Sequence, residues 1–135
     1  MSQTEAEPIL VEVGAGELID KITILRIKSE RMTEAAKVAN VRIELETLER
    51  ARETGVPASD EITRLEDDLK TVNEALWEIE DGIRECEAEG DFGETFIRLA
   101  RAVYQTNDKR AALKKEINLA AGSRIVEEKS YYEAP

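Results

Sequence analysis

From Ile62 to Cys86 apolar residues recur at alternating spacings of three and four: Ile62, Leu65, Leu69, Val72, Leu76, Ile79, Ile83 and Cys86. A spacing of about 3.5 residues is the period of a helix packed along one seam against other helices. The pattern predicts a helix over about 59–89, with Ser59 or Asp60 as its cap. Gly90-Asp91-Phe92-Gly93 then turns the chain. A following helix over about 94–121 stops at Gly122, and its seam reads Phe96, Leu99, Val103, Thr106, Arg110, Leu113, Ile117 and Ala120.

Upstream, the pattern is less regular. Ile9 to Val13 is short, largely β-branched and extended in character, and it ends at Gly14-Ala15-Gly16. A helix beginning near Gly16 carries Leu18, Ile22, Leu25 and Met32 on one stripe, widened by Ile19. Ile24 and Ile27 lie off that stripe, which predicts partners on two sides. Val38, Val41, Leu45 and Leu48 then point inward on a stretch that runs to about Thr54 and is closed by Gly55-Val56-Pro57. Thr33 is a candidate cap, yet neither Gly nor Pro marks a break there. Two helices and one bent helix over 16–54 both fit.

The expected architecture is an all-α antiparallel bundle. A long helical hairpin packs on one or two N-terminal helices, with short extended segments at both ends. The 135 residues suit one domain, with 1–8 and 130–135 loose. Apolar residues make up 41% and aromatics 4%, so the core is built mainly from aliphatic side chains.

Charge sharpens the pairing. Residues 60–89 hold twelve acids and three bases, whereas 92–121 hold six bases and three acids. This predicts attraction between the two hairpin helices and disfavours a parallel homodimeric coiled coil, which would set acid against acid. Ala75 and Gly82 beside the seam allow close approach. A net charge of −11 argues against nucleic acid and anionic membrane surfaces as partners. No apolar run nears the roughly 20 residues of a bilayer span, and the acidic N-terminus lacks the regions of a signal peptide, so a cytoplasmic location is expected.

The chemistry available is narrow. The chain has no histidine, which removes imidazole acid–base catalysis, Ser–His triads and ordinary zinc sites. Its single cysteine, Cys86, sits on the seam and reads as a buried structural thiol. The informative departure is the polar interruption at Thr106 and Arg110. In an antiparallel hairpin Arg110 falls close to Val72 and Asn73, giving a polar layer of Asn73, Thr106, Asn107 and Arg110. Such a layer either sets helix register or forms a pocket in which Arg110 and Lys114, with Tyr104 nearby, grip a small anionic ligand.

Other polar groups have plainer explanations. Glu17, Asp20, Lys21 and Arg26 form a further candidate cluster on the first helix, with Asp20 and Lys21 placed to line the mouth of a pocket, although surface charge and helix-end complementarity explain them more cheaply. Trp77 lies off the seam, which predicts contact with the N-terminal helices or with another subunit. Tyr131 and Tyr132 are candidates to dock on the body or on a neighbouring chain.

Glu46-x-x-Glu49 and Glu78-x-x-Asp81 are acid pairs at one-turn spacing. They resemble the carboxylate pairs with which all-α nucleotide pyrophosphohydrolases hold magnesium. The resemblance covers those four residues, and a solvated acidic face is the simpler account.

A broader resemblance spans nearly the whole chain. It rests on Val11-Glu12-Val13 with Gly16 to Leu25, on Leu76 to Asp81, on Ala100 to Tyr104 with Thr106-Asn107-Asp108, and on Glu127 to Tyr131. Together these segments resemble a family of small bacterial proteins classed only as a domain of unknown function. Gly14-Ala15 stands where that family's pattern has a Ser-Pro helix start. The resemblance implies no activity. The functional expectation is therefore a non-catalytic interaction or assembly module that self-associates or binds another protein, with no cofactor. The alternative is a ligand-binding or magnesium-dependent hydrolytic domain.

Overall fold

The computed structural model describes residues 6–131 and contains four helices. They are α1 (Ala15–Arg31), α2 (Ala35–Gly55), α3 (Asp60–Glu89) and α4 (Glu94–Ala121). The chain is an all-α bundle, and no strand occurs among the described residues. Residues 6–14 and 123–131 are extended or irregular. The part of the tail that includes Tyr132 lies outside the described residues.

The N-terminal region forms two helices. Met32 and Glu34 have extended backbone, with ψ of 143° and 115°, and this breaks the helical run. Glu34, not Thr33, is the N-cap of α2, and it makes no capping hydrogen bond. The α3 start follows the sequence closely: Ser59 Oγ accepts from the Ile62 amide at 3.0 Å. Gly90 and Gly122 end α3 and α4 in left-handed conformations, with φ of 69° and 68°.

α3 and α4 form the expected antiparallel hairpin, but charge attraction is not what joins them. Among the described residues no ion pair links α3 to α4. Their bases and acids reach elsewhere: Arg110 and Lys114 turn to α1, while Glu66, Lys70, Glu74 and Glu78 of α3 meet α1 or α2. The apolar seam holds the hairpin. An added Cβ on Gly82 would lie 2.9 Å from Leu99, so the small residue does permit close approach.

The tightest packing is where α1 enters between α3 and α4. Ala15, Ile19, Ile62, Leu65, Leu69 and Ile117 form one cluster, with Leu113 and Val56 against it. Ile22, Leu25 and Ile27 of α1 are also buried, as the two-sided pattern predicts. α2 is peripheral. Only Val41 is buried in it, and Val38, Leu45 and Leu48 are half-buried. A charged clasp ties α2 inward: Glu66 of α3 accepts from Arg26 of α1 at 2.7 Å and pairs with Arg52 of α2. Burial, then the neighbouring Arg26, lowers the Arg52 pKa from the ordinary arginine value.

The start of α1 depends on α4. Gly14, its N-cap, supplies no side-chain acceptor, so the first helical amides look elsewhere. Ser123 Oγ accepts from Ala15 N at 3.0 Å, and Asn118 Oδ1 accepts from Gly16 N at 2.7 Å. Distant side chains thus replace the cap missing at Gly14-Ala15. Close approach makes this possible, because a Cβ on Gly16 would overlap the Lys114 carbonyl. Gly16→Ala should therefore destabilise the protein by about 1–3 kcal/mol, the range for overpacking, despite alanine's higher helix propensity. Gly55 has open space around it and φ outside the left-handed region. Gly55→Ala should leave stability unchanged or slightly raised, and urea unfolding of the two variants checks the contrast.

Candidate functional site

The polar break in the seam assembles around a residue that surface charge does not explain. Asp20 is 1% exposed, on the face of α1 that meets both hairpin helices. Arg110 Nε donates to its Oδ1 at 2.9 Å, and Arg110 Nη2 donates to its Oδ2 at 2.5 Å. From α3, Asn73 Nδ2 donates to Asp20 Oδ1 at 3.0 Å and to Thr23 Oγ1 at 2.9 Å. Thr23 in turn donates to the Asp20 carbonyl at 2.8 Å. The buried carboxylate thus receives three hydrogen bonds, two from one guanidinium fork.

The sequence singles out Asp20 as a pocket-mouth candidate but shows neither its burial nor its pairing with Arg110. The apolar stripe of α1 disguises it, because Ile19 and Ile22 bracket it and an acid near a helix start has a cheap explanation. The signal that marks it is complementarity: a cation on the seam of α4 demands an anion from whichever helix covers that seam. The hydrogen bonds that Arg110 donates to Asp20, and the charge of that carboxylate, hold the Arg110 pKa above the ordinary arginine value, against the opposing effect of burial. With its fork spent on Asp20, Arg110 is not a free grip for an anion.

Lys114, one turn further along α4, is also committed. Its Nζ lies 2.7 Å from Glu17 and 3.1 Å from Glu127. Burial works against its charge, but the hydrogen bonds to those two acids outweigh it and raise its pKa. Of the other candidates, Asn73 and Asn107 line a cleft with Arg110, Thr106 is half-buried, and Tyr104 is 55% exposed.

The four acids proposed as a magnesium site do not converge. Glu49 lies 3.4 Å from Arg26, Glu78 lies 3.5 Å from Arg31, Glu46 is exposed, and Asp81 lies on the rim of the cleft. Among the described residues no group of three or more acids or thiols is placed to hold a metal ion. Cys86 is buried, and burial followed by Asp91, Glu89 and Glu85 pushes its thiol pKa up, as suits an inert structural thiol. Trp77 lines the cleft between α1 and α3, and Tyr131 is 70% exposed with Lys129 over its ring at 5.6 Å.

Arg110→Met leaves Asp20 buried without its main partner, so it should cost about 3–5 kcal/mol, while Arg101→Met on the exposed face should cost under about 0.5 kcal/mol. Thermal and urea unfolding measure both. Lys114 has a folded pKa above its unfolded value, so its contribution is complete below about pH 10 and is lost as pH rises through the folded value. Lys114→Met should therefore flatten the alkaline fall of the parent's stability, followed by circular dichroism from neutral pH to about pH 11.5.

No helix among the described residues is long and apolar enough to cross a membrane. No curated protein and no solved structure matches the chain significantly. Residues 9–135 match a family of unknown function, DUF6165, so the match takes in the extended arm, all four helices and the tail. The chain belongs to the DUF6165 family.

Proposed function

We propose that this chain is a non-catalytic helical assembly module that pairs with a second copy of itself through its N-terminal arm. The observation that carries the reading is the exposure of an apolar run. Ile9, Leu10 and Val11 are 91%, 88% and 74% exposed, three consecutive aliphatic residues in an extended segment. Scattered surface aliphatics need no explanation, but a contiguous run points to a partner.

A second copy fits that run best. At the root of the same arm lies a groove of about 350 Å³ whose apolar lining includes Leu18, Val56, Ala121 and Ile125. Glu12 and Val13 of the arm line this groove, whereas Ile9, Leu10 and Val11 stay out of it. Arm and groove at one end of the bundle suit reciprocal exchange about a two-fold axis, in which each copy's arm covers the other's groove. The Arg124–Glu12 pair, at 2.7 Å, anchors the arm's base beside the groove. The fate of the reactive groups agrees with a non-catalytic role: Asp20 is spent on Arg110, Lys114 on two acids, and Cys86 is buried.

Sedimentation equilibrium tests the reading. The parent should behave as a dimer at micromolar concentration, and Ile9→Ser with Val11→Ser should shift it to monomer with the helical signal intact. A monomeric parent, or a dimer indifferent to both substitutions, overturns it.

A further inference from the structure

Away from the arm, a second feature calls for a ligand. Where α1 ends, a cleft of about 450 Å³ opens between it and the middle of the α3–α4 hairpin. Small-molecule sites occupy about 300–1,000 Å³ and combine an apolar wall with a few polar groups. Ile24 and Ile27 of α1 with Leu76 and Trp77 of α3 supply the wall. Asn73, Asn107 and Arg110 supply the polar groups.

Their unused capacity defines the chemistry. Asn73 spends both amide hydrogens on Asp20 and Thr23, which leaves its carbonyl oxygen as an acceptor. Arg110 uses Nε and Nη2 on Asp20 and keeps Nη1 as a donor. Asn107 is half-buried, and its amide takes no part in the Asp20 network. Among the described residues no fully buried side-chain polar atom lacks a partner, so the unpaired edges of these cleft-lining groups keep some access to solvent. They offer donors and acceptors together.

The charge is also informative. Arg110 is neutralised by Asp20, and at the rim Lys28 and Arg84 offset Glu80 and Asp81. In a chain of net charge −11 the cleft is thus electrically balanced, which favours neither an anion nor a cation. A flat indole beside paired donors and acceptors suits a ring with an apolar face and hydroxyl groups at its edge.

We propose that this cleft binds a neutral hydroxyl-bearing ring of the sugar class, with Trp77 against its apolar face and Asn73, Asn107 and Arg110 at its hydroxyls. The site is independent of the arm. Trp77 is the only tryptophan, so its emission reports on the cleft alone.

The test is a fluorescence titration of the full chain with methyl α-glucoside, N-acetylglucosamine and maltose, compared with glucose 6-phosphate and inorganic phosphate. At least one neutral sugar should give a saturable change. Asn107→Leu and Asn107→Ala should each weaken it tenfold or more with the circular dichroism unchanged. The same response in the Ile9→Ser, Val11→Ser chain separates it from self-association. No response to any neutral sugar up to about 10 mM, tenfold above a Kd of ~1 mM, overturns the proposal. So does an unaltered response in both Asn107 variants, or saturation by the phosphate-bearing probes alone.

Discussion

The bundle depends on one buried ion pair. Asp20 and Arg110 sit where α1, α3 and α4 meet, and Asn73 joins them from the third helix. Hydrocarbon alone would let α1 slide or rotate against the hairpin, since Leu, Ile and Val tolerate many registers. A carboxylate that is 1% exposed tolerates only the register in which its fork partner arrives. Removing both charges for well-packed apolar groups is often no loss of stability, so the pair's contribution is to select one arrangement. That arrangement in turn brings Gly16 against the α4 backbone and its amide onto Asn118 Oδ1.

A second clasp works further along α1, at Arg26. Glu66 draws Arg26 and Arg52 together, linking α1, α2 and α3, although α2 otherwise packs mainly on α1. The two clasps differ in what they leave open. The Glu66 clasp closes the gap between helices. The Asp20 layer stands beside a cleft, where Asn73 and Arg110 contribute to the lining.

Much of the fold was legible because it follows from periodicity. The seam from Ile62 to Cys86, the turn at Gly90 and the stop at Gly122 each express local physics, and the observed α3 and α4 match them within a residue or so. The break at residues 32–34 was one of two readings left open, because no Gly or Pro enforces it. The cross-helix attraction inferred from opposite net charges was also misplaced. Summed charge indicates compatible surfaces, whereas individual ion pairs depend on which side chains face each other.

The candidate site was half legible. Arg110 and Asn73 announced themselves as polar groups on or beside an apolar seam, and their proximity followed from the hairpin. The burial and pairing of Asp20 did not, because its partner lies ninety residues away in sequence and only the three-helix junction brings them together. A double-mutant cycle between Asp20→Asn and Arg110→Met, read by urea unfolding, measures how strongly this junction depends on the pair. Direct pairing of the two groups gives a coupling energy of about 2–3 kcal/mol. Additivity within about 0.5 kcal/mol would contradict it.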